Sequence, residues 1–385
     1  MSTPGRAHGL GGFVLASALV IASHARADDA ASTLPPPPLA LSIIPGTGLG
    51  PWKLRIENTG DVPMRLAADP RLLVLEVTPP AGFVDPTVKA KPGAAAKKAE
   101  EAKPVRCVLP DDARPATDEG HDLVVPPKRS WSQSIDPLMY CFGARERAML
   151  VTGATVQAHF GWPTPPPKPG ARPAKKPAPP GPPFVAAPVG AALGKIASAK
   201  ELLAAPVTLT ENAKPALSAS TATSADSPSS GLAGSGSMAV SMADAVDVAR
   251  GAEISAAVTI ANEGDKPVML LFRAETLRFA VSGPAGSVSC GATRPVGSPI
   301  RELYSTLGVK GRASITILIT SMCPADTFDR PGVYRVTPVL DTSGASGRSI
   351  GLKTWDGAVA GPGPMLLRVR SPRRPSQPSV RPALD

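Results

Sequence analysis

Aromatic residues are scarce in this chain: four Trp, three Tyr and eight Phe among 385 positions, or 4%. A surface that stacks successive bases needs rings interleaved with positive charge, so nucleic acid is not an expected partner. Histidine is scarcer still, at four. The four cysteines, Cys107, Cys141, Cys290 and Cys323, include no Cys-x-x-Cys pair, so a Cys/His zinc site lacks its ligand spacing. No phosphate-cradling glycine-rich loop leads into a helix. No metal or other cofactor is expected, and the chain does not read as an enzyme. After the first 27 residues no apolar run approaches the twenty or so residues needed to span a bilayer. No transmembrane anchor is expected.

Proline and glycine, by contrast, are abundant, at 47 and 36. That composition favours strands, turns and linkers over helix bundles, and 43% hydrophobic residues suffice for ordinary cores. The N-terminus has the three parts of an export signal: Arg6, an apolar run from Gly9 to Ser23, and small residues at Ala25 and Ala27 with cleavage expected before Asp28. No cysteine stands near that point to accept a lipid. A secreted or periplasmic location follows, in which an even number of cysteines favours disulfides.

The chain repeats itself. "IENTGDVPMRL" (Ile56 to Leu66) returns 204 residues later as "IANEGDKPVML" (Ile260 to Leu270), and eleven of the twenty-seven positions from Ile56 to Gly82 match Ile260 to Gly286 without a gap. The shared turn signature is Asn58, Gly60, Asp61 and Pro63 in one copy and Asn262, Gly264, Asp265 and Pro267 in the other. Glycine at Gly60 permits positive φ, and Pro63 suits the start of a strand. Lys128 and Lys310 each precede the second cysteine of their copy by thirteen residues. "LALSI" (Leu39 to Ile43) parallels "MAVSM" (Met238 to Met242), and "LLAAPVTLT" (Leu202 to Thr210) parallels "GPMLLRVR" (Gly363 to Arg370). If each copy folds alone, the simplest pairing is Cys107–Cys141 and Cys290–Cys323, and closing loops of that length contributes roughly 3–4 kcal/mol each. Four free thiols are the rival reading.

The organisation expected is a signal peptide at 1–27, copy one at 37–211, a Ser/Ala/Gly-rich flexible linker at 212–236, copy two at 237–370 and a disordered tail at 371–385. Copy one carries two low-complexity insertions, Lys/Ala-rich at 85–106 and Pro/Lys-rich at 163–183, read as solvated loops. These insertions and the segment from Arg368 onward hold the basic excess, while the remainder of the mature chain is slightly acidic.

"WKLRIEN", "LLVLEV", "LRFAV", "ATVQAHF" and "VYRVTPVL" alternate as half-buried strands and are separated by turn signals. "PIRELYSTLG" (Pro299 to Gly308) and "SAKELLAA" (Ser198 to Ala205) have room for a helical turn or two. The fold class expected is all-β, two duplicated sandwiches. On the phrase apolar-x-apolar-x-Asn-x-Gly-Asp-x-Pro-apolar, each copy resembles the first hairpin of immunoglobulin-like domains in exported bacterial proteins. The resemblance implies a sandwich fold and leaves adhesion, scaffolding, chaperone and enzyme-appendage roles alike open. The immunoglobulin Cys…Trp…Cys arrangement is incomplete, since Trp131 lies between the cysteines of copy one but Ala313 stands there in copy two. A jelly roll therefore stays open.

The densest polar stretch, Asp111 to Asp122, includes Asp118, Glu119 and His121 and is the place for a metal-dependent hydrolase if there is one. Its spacing does not follow the alternating-acid calcium loop, and copy two has no counterpart, so a solvated acidic loop is the plainer reading. His159 alternates opposite Val156, Ala158 and Phe160, toward solvent or a neighbouring side chain, without an evident acid beside it. The four Trp read as core or rim residues. The function expected is non-catalytic binding or scaffolding in the envelope or outside the cell, with an envelope component such as an anionic polysaccharide or a protein as partner. A passive spacer is the alternative.

Overall fold

In the computed structural model the described residues are 34–46, 51–87, 103–115, 122–162, 183–210, 238–291 and 300–371. Ala25, Ala27 and Asp28 of the expected cleavage site, the linker 212–236, and most of both insertions and of the tail lie outside them.

Copy one contributes β1 (Leu39–Ile44), β2 (Trp52–Asn58), β3 (Met64–Ala67), β4 (Leu73–Thr78), β5 (Val105–Cys107), β6 (Asp122–Val125) and β7 (Ser130–Ile135). Two short helices follow, α1 (Pro137–Tyr140) and α2 (Ala144–Met149), and then β8 (Thr155–Gly161), β9 (Ala186–Pro188), β10 (Glu201–Leu203) and β11 (Val207–Thr208). Its sheets run β1-β2-β7 and β10-β8-β4-β5, with β11 also on β8, and a small third sheet runs β6-β3-β9. Alternation decides the faces: Trp52, Leu54 and Ile56 of β2 are buried while Lys53 is exposed. Leu73, Leu75 and Val77 of β4 and Val156, Ala158 and Phe160 of β8 enter the same core.

Copy two contributes β12 (Met238–Met242), β13 (Ala245–Ala249), β14 (Ser255–Asn262), β15 (Val268–Leu271), β16 (Leu277–Gly283), β17 (Gly286–Gly291), β18 (Tyr304–Leu307) and β19 (Arg312–Leu318). The helix α3 (Ile319–Met322) precedes β20 (Gly332–Asp341), β21 (Ala358–Ala360) and β22 (Met365–Arg370). The sheets run β12-β14-β19 and β13-β22-β20-β16-β17, with β21 on β20 and β15 on β18. In copy one β2 lies between β1 and β7 while β4 pairs with β8, and in copy two β14 lies between β12 and β19 while β16 pairs with β20. That order is immunoglobulin-like, and the protein is all-β with two duplicated sandwiches.

The registers superpose. Leu39 faces Asn58 and Met238 faces Asn262; Leu73 faces Phe160 and Leu277 faces Leu340; Val207 faces Val156 and Met365 faces Val336. Two expectations are corrected and one is met in part. "SAKELLAA" holds the strand β10, because Leu202 is taken into the core opposite Phe160 and the edge of β8 supplies hydrogen bonds that outweigh local helix preference. "PIRELYSTLG" holds one 3-10 turn, Arg301–Leu303, and then β18, which pairs with β15. The repeated phrase is not a hairpin: β2 and β3, like β14 and β15, belong to different sheets, so the phrase is a corner between them. Copy two also has a strand that copy one lacks among the described residues, β13, which runs parallel to β22 along its outer edge.

Candidate functional site

The corner begins with an asparagine whose side chain is sealed in both copies, Asn58 and Asn262 each 0% exposed. A buried amide demands partners. Asn58 Nδ2 donates to Val62 O at 2.7 Å and Val125 O at 3.0 Å, and its Oδ1 accepts from Gly60 N at 3.1 Å. Asn262 does the same with Lys266 O at 2.8 Å, Leu307 O at 3.3 Å, Gly308 O at 3.0 Å and Gly264 N at 3.0 Å. The side chain thus joins its own corner to the strand that ends before the next turn.

That next turn explains the repeated lysine. Lys128 and Lys310 both sit at φ 57°, in the left-handed region that non-glycine residues avoid. From there Lys128 Nζ donates to Thr59 O at 2.6 Å and Lys310 Nζ to Glu263 O at 2.5 Å. Gly60, where glycine permits positive φ, does not adopt it, and neither does Gly264. Gly60 is needed for space, since a Cβ there would stand 2.5 Å from Pro38 Cγ. Pro63 and Pro267 immediately precede β3 and β15, and Asp61 pairs with Lys128 at 3.1 Å on the surface. Every member of the phrase that the structure describes in contact is engaged in holding this corner.

Cys107 is bridged to Cys141 and Cys290 to Cys323, with no free cysteine among the described residues. Each bridge ties the edge strand beside β4 or β16 to the short helix that follows β7 or β19. In copy one that helix is also where the other copy docks.

The outer face of β20 and β22 carries Val333, Arg335, Leu366 and Arg368, which alternate with the core residues Tyr334, Val336, Met365 and Leu367. Val333 and Leu366 join the apolar cluster of copy one, with Ala245 of β13 packed against it. Arg368, 6% exposed, donates from Nε to Asp247 Oδ1 at 3.1 Å, from Nη2 to Asp247 Oδ2, and from Nη1 to Met139 O at 2.9 Å. Its guanidinium lies over the Phe142 ring. Arg370 reaches both Asp247, at 2.8 Å, and Asp112 of copy one. Asp136, which caps α1 through Leu138 N at 2.9 Å, is held above the usual carboxylate range by burial, against the pull of that hydrogen bond and of Arg335 across the seam. Burial lowers the Arg147 guanidinium, and Asp244 of copy two draws it back up. The seam is therefore apolar at its centre and charge-complementary around it. It also absorbs Arg368 and Arg370, counted above with the tail: that part of the basic excess belongs to a folded strand and is neutralised.

The described acids of the Asp111–Asp122 stretch do not converge. Asp111 pairs with Arg114 at 2.7 Å, Asp112 with Arg370, and Asp122 with Arg65 at 3.8 Å. Asp118, Glu119 and His121 lie outside the described residues, and among those described no group of three His, Cys, Asp or Glu residues is placed to hold a metal ion. His159 does find acids, which strand pairing supplies and sequence distance hides. Nδ1 is 2.9 Å from Glu201 Oε1 on β10, and Nε2 is 3.8 Å from Glu76 Oε2 on β4. A Gly-x-Ser-x-Gly string does run from Gly347 to Gly351, and it forms a 3-10 turn ending on Gly351 at φ 72°. It is not the strand–turn–helix elbow in which such a serine acts as nucleophile. Trp52 is core, Trp131 packs on Phe160 at 6.0 Å, and Trp162 and Trp355 are half-buried. They form no common platform.

No family model matches the chain, and no curated protein matches it. Among solved structures, the CARDB domain of the PF1109 protein from Pyrococcus furiosus, crystallised with di-metal ions, is 14% identical. The match covers 35% of this chain and 93% of that one, at a TM-score of 0.18. The ASH/PapD-like domain 7 of human CEP192 is 12% identical, over 35% of this chain and 87% of that one, at a TM-score of 0.16. No helix among the described residues is long and apolar enough to cross a membrane.

Proposed function

We propose that the protein is an exported, non-catalytic scaffold that binds a component of the cell envelope or extracellular space. The observation that carries this reading is that the described carboxylates of this stretch, Asp111, Asp112 and Asp122, are each held by a different arginine. A hydrolase using that loop needs carboxylates turned toward one substrate atom, whereas these are spent on structure. Export is supported by the N-terminal signal pattern and by the two disulfides. Binding is assigned to the Lys/Pro/Ala-rich segments of 85–106 and 163–183, whose charge would draw an anionic polysaccharide by screened attraction.

The test is capture of envelope fractions and of a purified anionic polysaccharide by the mature chain, with and without residues 88–102 and 163–182 of those segments, a deletion that leaves β5 intact. Loss of capture on deletion, and on raising salt, is the expected result. Undiminished capture after both deletions would overturn the assignment to the basic segments. No captured material under any condition would favour a passive spacer.

A further inference from the structure

The contact between the copies is head-to-tail: a sheet face of copy two meets the α1–α2 side of copy one. Contacts of this kind leave a complementary face unused at each end and, unless they close, propagate from molecule to molecule. The registers allow both unused faces to be identified. The counterparts of Arg335 and Leu366 in copy one are Thr155 and Thr208, and the same register carries Val333 and Arg368 onto Gly153 and Thr210. Gly153, Thr208 and Thr210 are exposed and Thr155 is half-buried. No described strand of copy one stands where β13 supplies Asp247. On the other side, α1 corresponds to α3, which aligns Cys141 with Cys323. Met139 then corresponds to Ser321, Phe142 to Pro324 and Arg147 to Asp329, all three of the latter exposed. Each face that docks has a twin from which the arginine, the aromatic ring or the aliphatic side chain has been removed.

We propose that this seam is single-use: copy two recognises copy one of its own chain, and the two stripped faces prevent the same contact from recurring between molecules. Threonine and glycine in place of Leu366, Arg368 and Val333 remove the apolar burial and the bidentate pairing together. Discrimination is thus achieved by deletion on the unwanted faces as well as by complementarity on the wanted ones. Terminal units of repeat proteins are made soluble by the same kind of polar replacement.

The test uses the full mature chain. Sedimentation velocity over a hundredfold range of concentration is expected to give one species of monomer mass, and small-angle scattering a compact particle. Arg368→Glu is expected to stay monomeric while its radius of gyration rises, because the copies separate without losing their sandwiches. Since Arg368 is buried, Asp112→Arg is the companion variant: its side chain is 61% exposed, and it sets like charge against Arg370 without entering either core. Its expansion should shrink again as salt is raised. Dimers or a ladder of species growing with wild-type concentration would overturn the proposal, as would seam variants that fold normally and scatter like the wild type.

Discussion

The guanidinium carbon of Arg368 in copy two stands 4.4 Å from the ring centroid of Phe142 in copy one, one residue beyond the disulfide-bonded Cys141. An arginine so placed is stacked on one side and chelated by Asp247 in the plane of its fork, an arrangement that lysine cannot reproduce. The seam thus joins a bridge that locks copy one to β13, a strand of copy two without a counterpart among the described residues of copy one.

Removing Arg368 leaves Asp247 without its bidentate partner and Met139 O without a donor. Because Asp247 keeps some access to water, Arg368→Ala is expected to cost about 2–3 kcal/mol, below the range for a fully buried pair. Arg368→Met should cost less, since it retains the apolar stack on Phe142. Urea unfolding of the three chains checks the order.

Asn58→Ala removes three hydrogen bonds at a fully buried position and is expected to destabilise by about 2–3 kcal/mol. Asn262→Ala should do the same, and the double variant should add, because the two sites share no partner. Thermal melts of singles and double suffice.

Lys128 combines a conformational cost with a bond to Thr59 O. Lys128→Ala keeps the left-handed backbone and loses the bond, so it should be the worse substitution, by about 1 kcal/mol relative to Lys128→Gly. A glycine that equals or falls below alanine in melting temperature would contradict the strain at this position.

The Asp136 carboxyl binds its proton more tightly folded than unfolded, so its ionisation opposes folding. That penalty is absent below its ordinary value of 3.8 and fully present once the pH exceeds the raised folded value. Asp136→Asn keeps the acceptor for Leu138 N and should therefore raise the melting temperature at neutral pH. The gain should fade as the pH is lowered toward 3.8. Melts across that range read the effect directly.

Both sulfurs of the copy-one bridge belong to buried residues, whereas Cys323 is half-buried. Thiolate attack needs access, so mild reductant is expected to open Cys290–Cys323 before Cys107–Cys141. Timed alkylation and peptide mapping distinguish the two.

Much of the fold is legible from residue order. Alternation in "WKLRIEN" and "VYRVTPVL" requires one wet face, and the gapless repeat from Ile56 to Gly82 announces two copies, because side-chain period and local turn chemistry are properties of neighbouring residues. Glu201 was not legible as a strand residue, since only the edge of β8 makes it one. The same holds for the acids around His159, which reach it across strands from 83 and 42 positions away.

The sequence by itself determined the duplication, the sandwich class, the export pattern and the cysteines available for bridging. Tertiary structure decided what the repeated phrase is for: Asn58 and Asn262 are buried ties at a corner, and the backbone strain falls on Lys128 and Lys310 rather than on the glycines. It also decided that the copies meet, and where. Arg368 and Asp247 are 121 residues apart, and no local pattern can tell a charged strand end bound for solvent from one bound for an interface. That distinction depends on which surface lies opposite.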